Sequence, residues 1–190
     1  MIDLAYSLKL ITGPTVWVAT AAEVRAWGRI VETGEDADIL ETIKSATGVM
    51  EVLANRIFCT QTFEMRLDGF PADGVIQLPT GPWQSITSVK ARDVDGVEQT
   101  VTSTDYLLDE ASGRLSSAPD IDWPDTQSGR PAAVRIQYKA GYGDAATACP
   151  LIAKRAVILG TLDELENRHG RFAIPNGIRE KLMALWPGTI

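Results

Sequence analysis

The sequence predicts an α+β fold: a small helical bundle of about four helices with an antiparallel β module inserted between the second and third helices. Three observations predict it. Phe63, Met65 and Leu67 alternate with Glu64, Arg66 and Asp68. Val134, Ile136 and Tyr138 alternate with Arg135, Gln137 and Lys139. A period of two puts one set on a buried face and the other in water. Outside these strands the chain shows helical spacing, and between them it shows turn signals. The division that follows is a discontinuous helical core, residues 1–57 plus 141–190, and an inserted β module, residues 58–140.

Each element has its own signal. Residues 1–19 read as extended, broken at Gly13-Pro14. Thr20-Ala-Ala-Glu23 is a capping box, in which the Thr hydroxyl accepts from the Glu23 amide and the carboxylate reaches back. A short helix then runs to about Ile30. The second helix, from about Asp36 to Ile57, carries a single stripe of Ile39, Ile43, Ala46, Met50, Leu53 and Ile57. Glu35, Asp36 and Asp38 suit its positive N-terminal end.

Strands are expected near Thr60–Asp68, Val75–Leu78, Ser85–Arg92, Val97–Val101, Tyr106–Asp109 and Ala133–Lys139. Asp95-Gly96 signals a two-residue hairpin. Pro150 suits the first position of a helix running to about Arg168. Its first half, with Leu151, Ile152, Ala156, Val157, Ile158 and Leu159, is apolar nearly all round, so more than one side is expected to be covered. A last helix is expected from about Asn176 to Leu185.

Composition narrows the function classes. The 190 residues are 45% hydrophobic and 23% charged, ordinary values for a globular protein. No apolar run approaches the ~20 residues that span a bilayer. Met1-Ile2-Asp3-Leu4 lacks the basic and apolar regions of a signal peptide, which predicts cytoplasmic synthesis. The net charge of −7 divides as −3 over residues 1–57, −5 over 58–140 and +1 over 141–190. Such a balance offers no concentrated basic face for gripping phosphates and predicts an acidic insertion. Cys59 and Cys149 fall at the entrance and exit of the insertion; two buried thiols are expected there rather than a disulfide.

Several motifs fail on context. Asp93-x-Asp95-Gly96 begins like a calcium loop, but Thr102 stands where a closing acid belongs. Gly141-Tyr-Gly-Asp-Ala-Ala146 matches G-x-G-x-x-A without the βαβ unit a dinucleotide needs. Asp120, Asp122 and Asp125 share one polar loop, and Ser116-Ser117 and the single histidine, His169, have no catalytic context. No catalytic, metal or cofactor site is expected, and the chain is not expected to be an enzyme. Trp83, Trp123, Tyr106 and Tyr142 offer an alternative function, a β-sheet binding module for glycan or protein on a virion or cell surface. The plainer expectation is that these rings pack the sheet.

A series of short signatures runs in order over residues 8–170: the Thr-x-x-Glu helix start, Gln61-Thr62, Leu67-Asp68-Gly69-Phe70-Pro71, Leu78-Pro79 and Pro82-x-x-Ser85-Ile86. Asp95-Gly96, Tyr106, Trp123-Pro124 and Tyr138-Lys-Ala-Gly-Tyr-Gly143 before a Pro-started helix continue it. In that order the chain resembles the head-tail connector, or adaptor, proteins of long-tailed phages, prophages and gene-transfer agents. The resemblance implies a non-catalytic ring of about twelve copies in the virion neck, made in the host bacterial cytoplasm. Its partners would be the portal protein, a stopper or tail-terminator protein, and DNA passing through the lumen without sequence-specific binding. The weakly basic C-terminal segment makes Lys154, Arg155, Arg168, Arg171, Arg179, Lys181 and Trp186 the expected portal or neighbour contacts. The plain alternative is a solvated helix face for the charged residues and a local cap for Trp186.

Overall fold

The computed structural model describes residues 6–167 together with positions 180 and 182. They divide into two compact units. One joins the chain up to Gly13 with Gln61–Gly141; the other joins Pro14–Thr60 with the chain from Tyr142 onward.

The first unit is all β. Strands β1 (Tyr6–Thr12), β2 (Gln61–Leu67), β4 (Trp83–Arg92), β5 (Glu98–Val101) and β8 (Val134–Ala140) form a sheet in the order β1-β2-β8-β4-β5. Strands β3 (Val75–Gln77), β6 (Tyr106–Asp109) and β7 (Arg114–Ser117) form a second sheet, β3-β7-β6. Every pairing is antiparallel. Register puts Phe63 opposite Tyr138, Met65 opposite Ile136 and Leu67 opposite Val134. Val89 and Ala91 on β4 continue this buried face. The Tyr138 hydroxyl donates to the Pro79 carbonyl at 2.8 Å, which satisfies the one polar atom of a buried ring.

The second unit holds helices α1 (Ala21–Gly28), α2 (Asp36–Ala54) and α3 (Leu151–Glu166). Val24, Ile39, Ile43, Ala46, Met50, Phe58, Ala153, Ala156, Val157 and Leu182 make its core. The capping box of α1 forms: Thr20 Oγ accepts from the Glu23 amide at 3.2 Å, and the Glu23 carboxylate accepts from the Thr20 amide at 2.9 Å. Gly28 lets α1 close on α3, because a Cβ there would lie 2.6 Å from Leu162 Cδ2. Helix α2 stops at Ala54, three residues before the expected Ile57, where Asn55 takes a left-handed conformation.

The expected small bundle of about four helices is not the fold. Among the described residues there are three helices, and the first element is a strand, β1, ahead of all of them. The physical reason lies in β2, whose outer edge would otherwise expose a row of unpaired amides and carbonyls. Tyr6–Thr12 pairs with that edge instead. The expected last helix falls outside the described residues, save positions 180 and 182. A β module does lie between the second and third helices, built as two sheets.

The chain leaves and re-enters the helical unit through a short strap. Thr60 N–H donates to Gly143 O at 3.1 Å and Tyr142 N–H to Phe58 O at 3.0 Å. Beside it, the Cys149 thiol donates to Phe58 O at 3.2 Å, leaving Cys59 to donate to Cys149 Sγ at 3.7 Å. The Phe58 amide is held by Glu51 Oε1 at 2.7 Å. Both cysteines are free and buried. The hydrogen bond to Cys149 and burial push the Cys59 thiol far above its ordinary range.

Two outcomes follow. Neither thiol should react with a thiol-specific reagent in the folded protein at neutral pH, and both should titrate after unfolding; prompt native reactivity would contradict the packed strap. Gly113, just before β7, has φ +71°, and a Cβ on it would come within 2.3 Å of the Trp83 ring. Gly113→Ala should therefore lower stability by ~2 kcal/mol or more, read as a shifted urea midpoint with unchanged slope.

Candidate assembly surfaces

Expected contact residues on α3 have different surroundings, although they are adjacent in sequence. Lys154 Nζ lies 2.6 Å from Glu23 Oε1, so it ties α3 to the capping box of α1. Burial pushes the Glu23 carboxyl up, but the Lys154 and Thr20 hydrogen bonds outweigh it and leave it below its ordinary value. Arg155 points the other way. It is exposed, and its guanidinium sits 5.5 Å from the centre of the half-exposed Trp27 ring. One turn earlier on the same side, Leu151 is 83% exposed. Trp27, Leu151 and Arg155 thus give the helical unit an exposed surface with apolar and cationic character. On α2, Val52 is 80% exposed. Arg168, Arg171, Arg179, Lys181 and Trp186 lie outside the described residues, as does His169.

The aromatic side chains singled out in the β module are engaged locally. Trp123 stacks on Phe70 at 4.5 Å, lies 6.5 Å from Tyr106 and donates to Gly74 O at 2.8 Å. Trp83 donates to Pro79 O at 3.3 Å and covers Gly113. Tyr142 belongs to the helical unit, packed on its core. Asp93, the first acid of the apparent calcium loop, accepts from the amides of Asp95 and Val97 at 3.1 and 2.9 Å and from Gln99 at 3.1 Å. It closes the β4–β5 hairpin, whose connection spans residues 93–97, longer than the two-residue turn expected.

Sequence reasoning missed a buried carboxylate. The alternation in β2 assigns Glu64 to water, yet its side chain is only 8% exposed. It accepts from Arg66 Nε at 2.6 Å and from Gln137 Nε2 at 3.1 Å. Burial alone would raise its carboxyl, but those two bonds and the Arg66 charge outweigh it and leave it lowered. Glu98 plays a similar part on β5. Arg135 pairs with it closely, and Lys90 and Arg92 reach it at 3.3 and 3.6 Å. The register makes these carboxylates necessary: Arg66 stands directly opposite Arg135, and Arg135 opposite Lys90. Like charges directly across strands repel.

No family model matches the chain, and no curated protein matches it in sequence. Solved structures do. A chain in the neck of an empty gene transfer agent particle, computed with C6 symmetry, superposes with a TM-score of 0.80 at 23% identity over 97% of both chains. A chain in the virion of a native gene transfer agent particle gives 0.78 at 25% identity over 94% of both. A chain in the neck of the native particle, computed with C12 symmetry, gives 0.72 at 23% identity over 97% of both. The chain shares its fold with these chains of gene transfer agent particles.

The lowered Glu64 and Glu23 carboxyls set a pH dependence. A group whose folded pKa is depressed stabilises the fold above its unfolded pKa, and that contribution is lost as pH falls through the folded value. Thermal stability should therefore fall as pH drops below about 4.3, the ordinary Glu value. Glu64→Gln should flatten this acid limb while lowering stability at pH 7; an unchanged limb would remove Glu64 from the account.

Proposed function

We propose that this chain is a structural head-tail connector, or adaptor, subunit. It forms a ring between the portal and the next neck component, a stopper or tail-terminator, and extends the DNA channel through the virion neck. The observation that carries this reading is the near full-length likeness to a neck chain of the gene transfer agent particle, with a TM-score of 0.80 over 97% of both chains. The ordered sequence signatures point the same way. The role asks for side-by-side packing and docking, with no catalysis. About twelve copies would match the symmetry used for one of the similar necks.

The exposed apolar residues of the helical unit suit such packing. Leu151, Val52 and Trp27 would each lose solvent contact against a neighbour, each large side chain contributing up to roughly 1.5–3 kcal/mol when fully covered. Arg155, beside Trp27, is the described basic residue best placed for a contact. Lys154 acts within the subunit. Arg168, Arg171, Arg179, Lys181 and Trp186 remain the proposed contacts of the C-terminal segment.

Electron microscopy of particles that carry this chain should find it as a ring at the portal vertex, and its absence there would refute the proposal. Reversing charge at Arg168 and Arg171 together should weaken capture by the portal protein in a pull-down; undiminished capture would remove those two residues from the interface.

A further inference from the structure

The face of the five-stranded sheet opposite its apolar core gathers most of the basic residues of an otherwise acidic unit. Lys9 comes from β1, Arg66 from β2, Arg135 and Lys139 from β8, and Lys90 and Arg92 from β4. Five of the seven Lys and Arg residues within 58–140 stand there, with Lys9 as a sixth, against only two of the twelve acids, Glu64 and Glu98. The acids are also recessed. The Glu64 and Glu98 side chains are 8% and 29% exposed, whereas Lys90 is 42% exposed and Lys9 and Lys139 are exposed. Neighbouring strands lie ~4.8 Å apart and alternate residues ~6.7 Å apart along a strand, so the six cations form a compact positive field.

The complementary surface is within the same chain. Outside this face the described residues carry eight cations and 22 acids. A closed cyclic assembly joins two different patches of one molecule, and a basic face against an acidic one fixes which patches meet. We infer that this basic sheet face docks on an acidic surface of a second copy of the chain; the inference rests on the ring reading above. Duplex DNA is the weaker occupant. It presents one negative charge per ~1.7 Å of axis on every side, so each acid of the chain that comes into contact with it is repelled. A second copy offers both signs and can be aligned. Beyond ~8 Å at physiological salt the net charges are screened, while charges in contact are screened much less.

Sedimentation velocity of the full chain tests this at about 50 mM and about 500 mM salt, where screening differs strongly. The variants are Lys9→Glu with Lys139→Glu, both exposed and outside the Glu64 and Glu98 ion pairs, and the conservative K9R/K139R. Wild type should self-associate at low salt, with the dissociation constant rising about tenfold or more at high salt or on charge reversal. K9R/K139R should behave as wild type; because Lys9 stands opposite Glu64, K9E/K139E should melt lower, so association is compared well below the thermal midpoint of every variant. No wild-type association at low salt, or association indifferent to the reversal, overturns the inference. So does binding of labelled duplex DNA that is lost in K9E/K139E while self-association persists. The ring reading is judged separately, by the particle images, so the two fail independently.

Discussion

The fold depends on closing one long excursion. Gln61–Gly141 leaves the helical unit and must return to nearly the point of departure. Bringing the ends of such a segment together costs chain entropy that grows slowly with length. The β2–β8 ladder meets most of it by setting Gln61 opposite Ala140, and within the helical unit two backbone hydrogen bonds between Phe58–Thr60 and Tyr142–Gly143, with the paired thiols beside them, add to it. Glu51 anchors the strap to α2 through the Phe58 amide, so the end of the second helix and the start of the third are fixed together. Phe58 O accepts from both Tyr142 and Cys149, which explains why a small polarisable side chain suits position 149.

Much of this was legible in the sequence. The stripe of α2 buries Ile39, Ile43, Ala46 and Met50 as its spacing requires, and the capping box forms atom for atom. Strand β8 alternates as read. Failures came where long-range pairing decides. Nothing local says that residues 6–12 complete a sheet whose next strand begins some fifty residues later; only the open edge of β2 demands it. Strand β7, Arg114–Ser117, carries a single apolar residue, Leu115, and so offers no alternation to read. Asp109, whose carboxylate accepts from the Ala111 amide and the Ser112 hydroxyl, was the available clue to the hairpin before it.

Charge was misjudged for a related reason. Summing residues 58–140 gives −5 and suggests an acidic module. Pairing register then sorts the charges. Arg66, Arg135 and Lys90 align across three strands, an arrangement tolerable only because Glu64 and Glu98 sit within the row's reach. Glu64 is consequently buried at a position that alternation assigns to solvent. Mean charge describes the chain; the field that a partner meets is set by which side of a pleat each residue occupies.

The same distinction governs α3. Lys154 and Arg155 look alike as members of a basic segment, yet adjacent helical residues point about 100° apart. One turns to the α1 cap and spends its charge on Glu23. The other faces out beside Trp27, one turn from the exposed Leu151. A basic segment is therefore not a basic surface. Of this pair, only the outward residue shares its side of the helix with exposed apolar area, the combination that lets an Arg and an aromatic ring anchor a docked surface rather than merely solvate a helix.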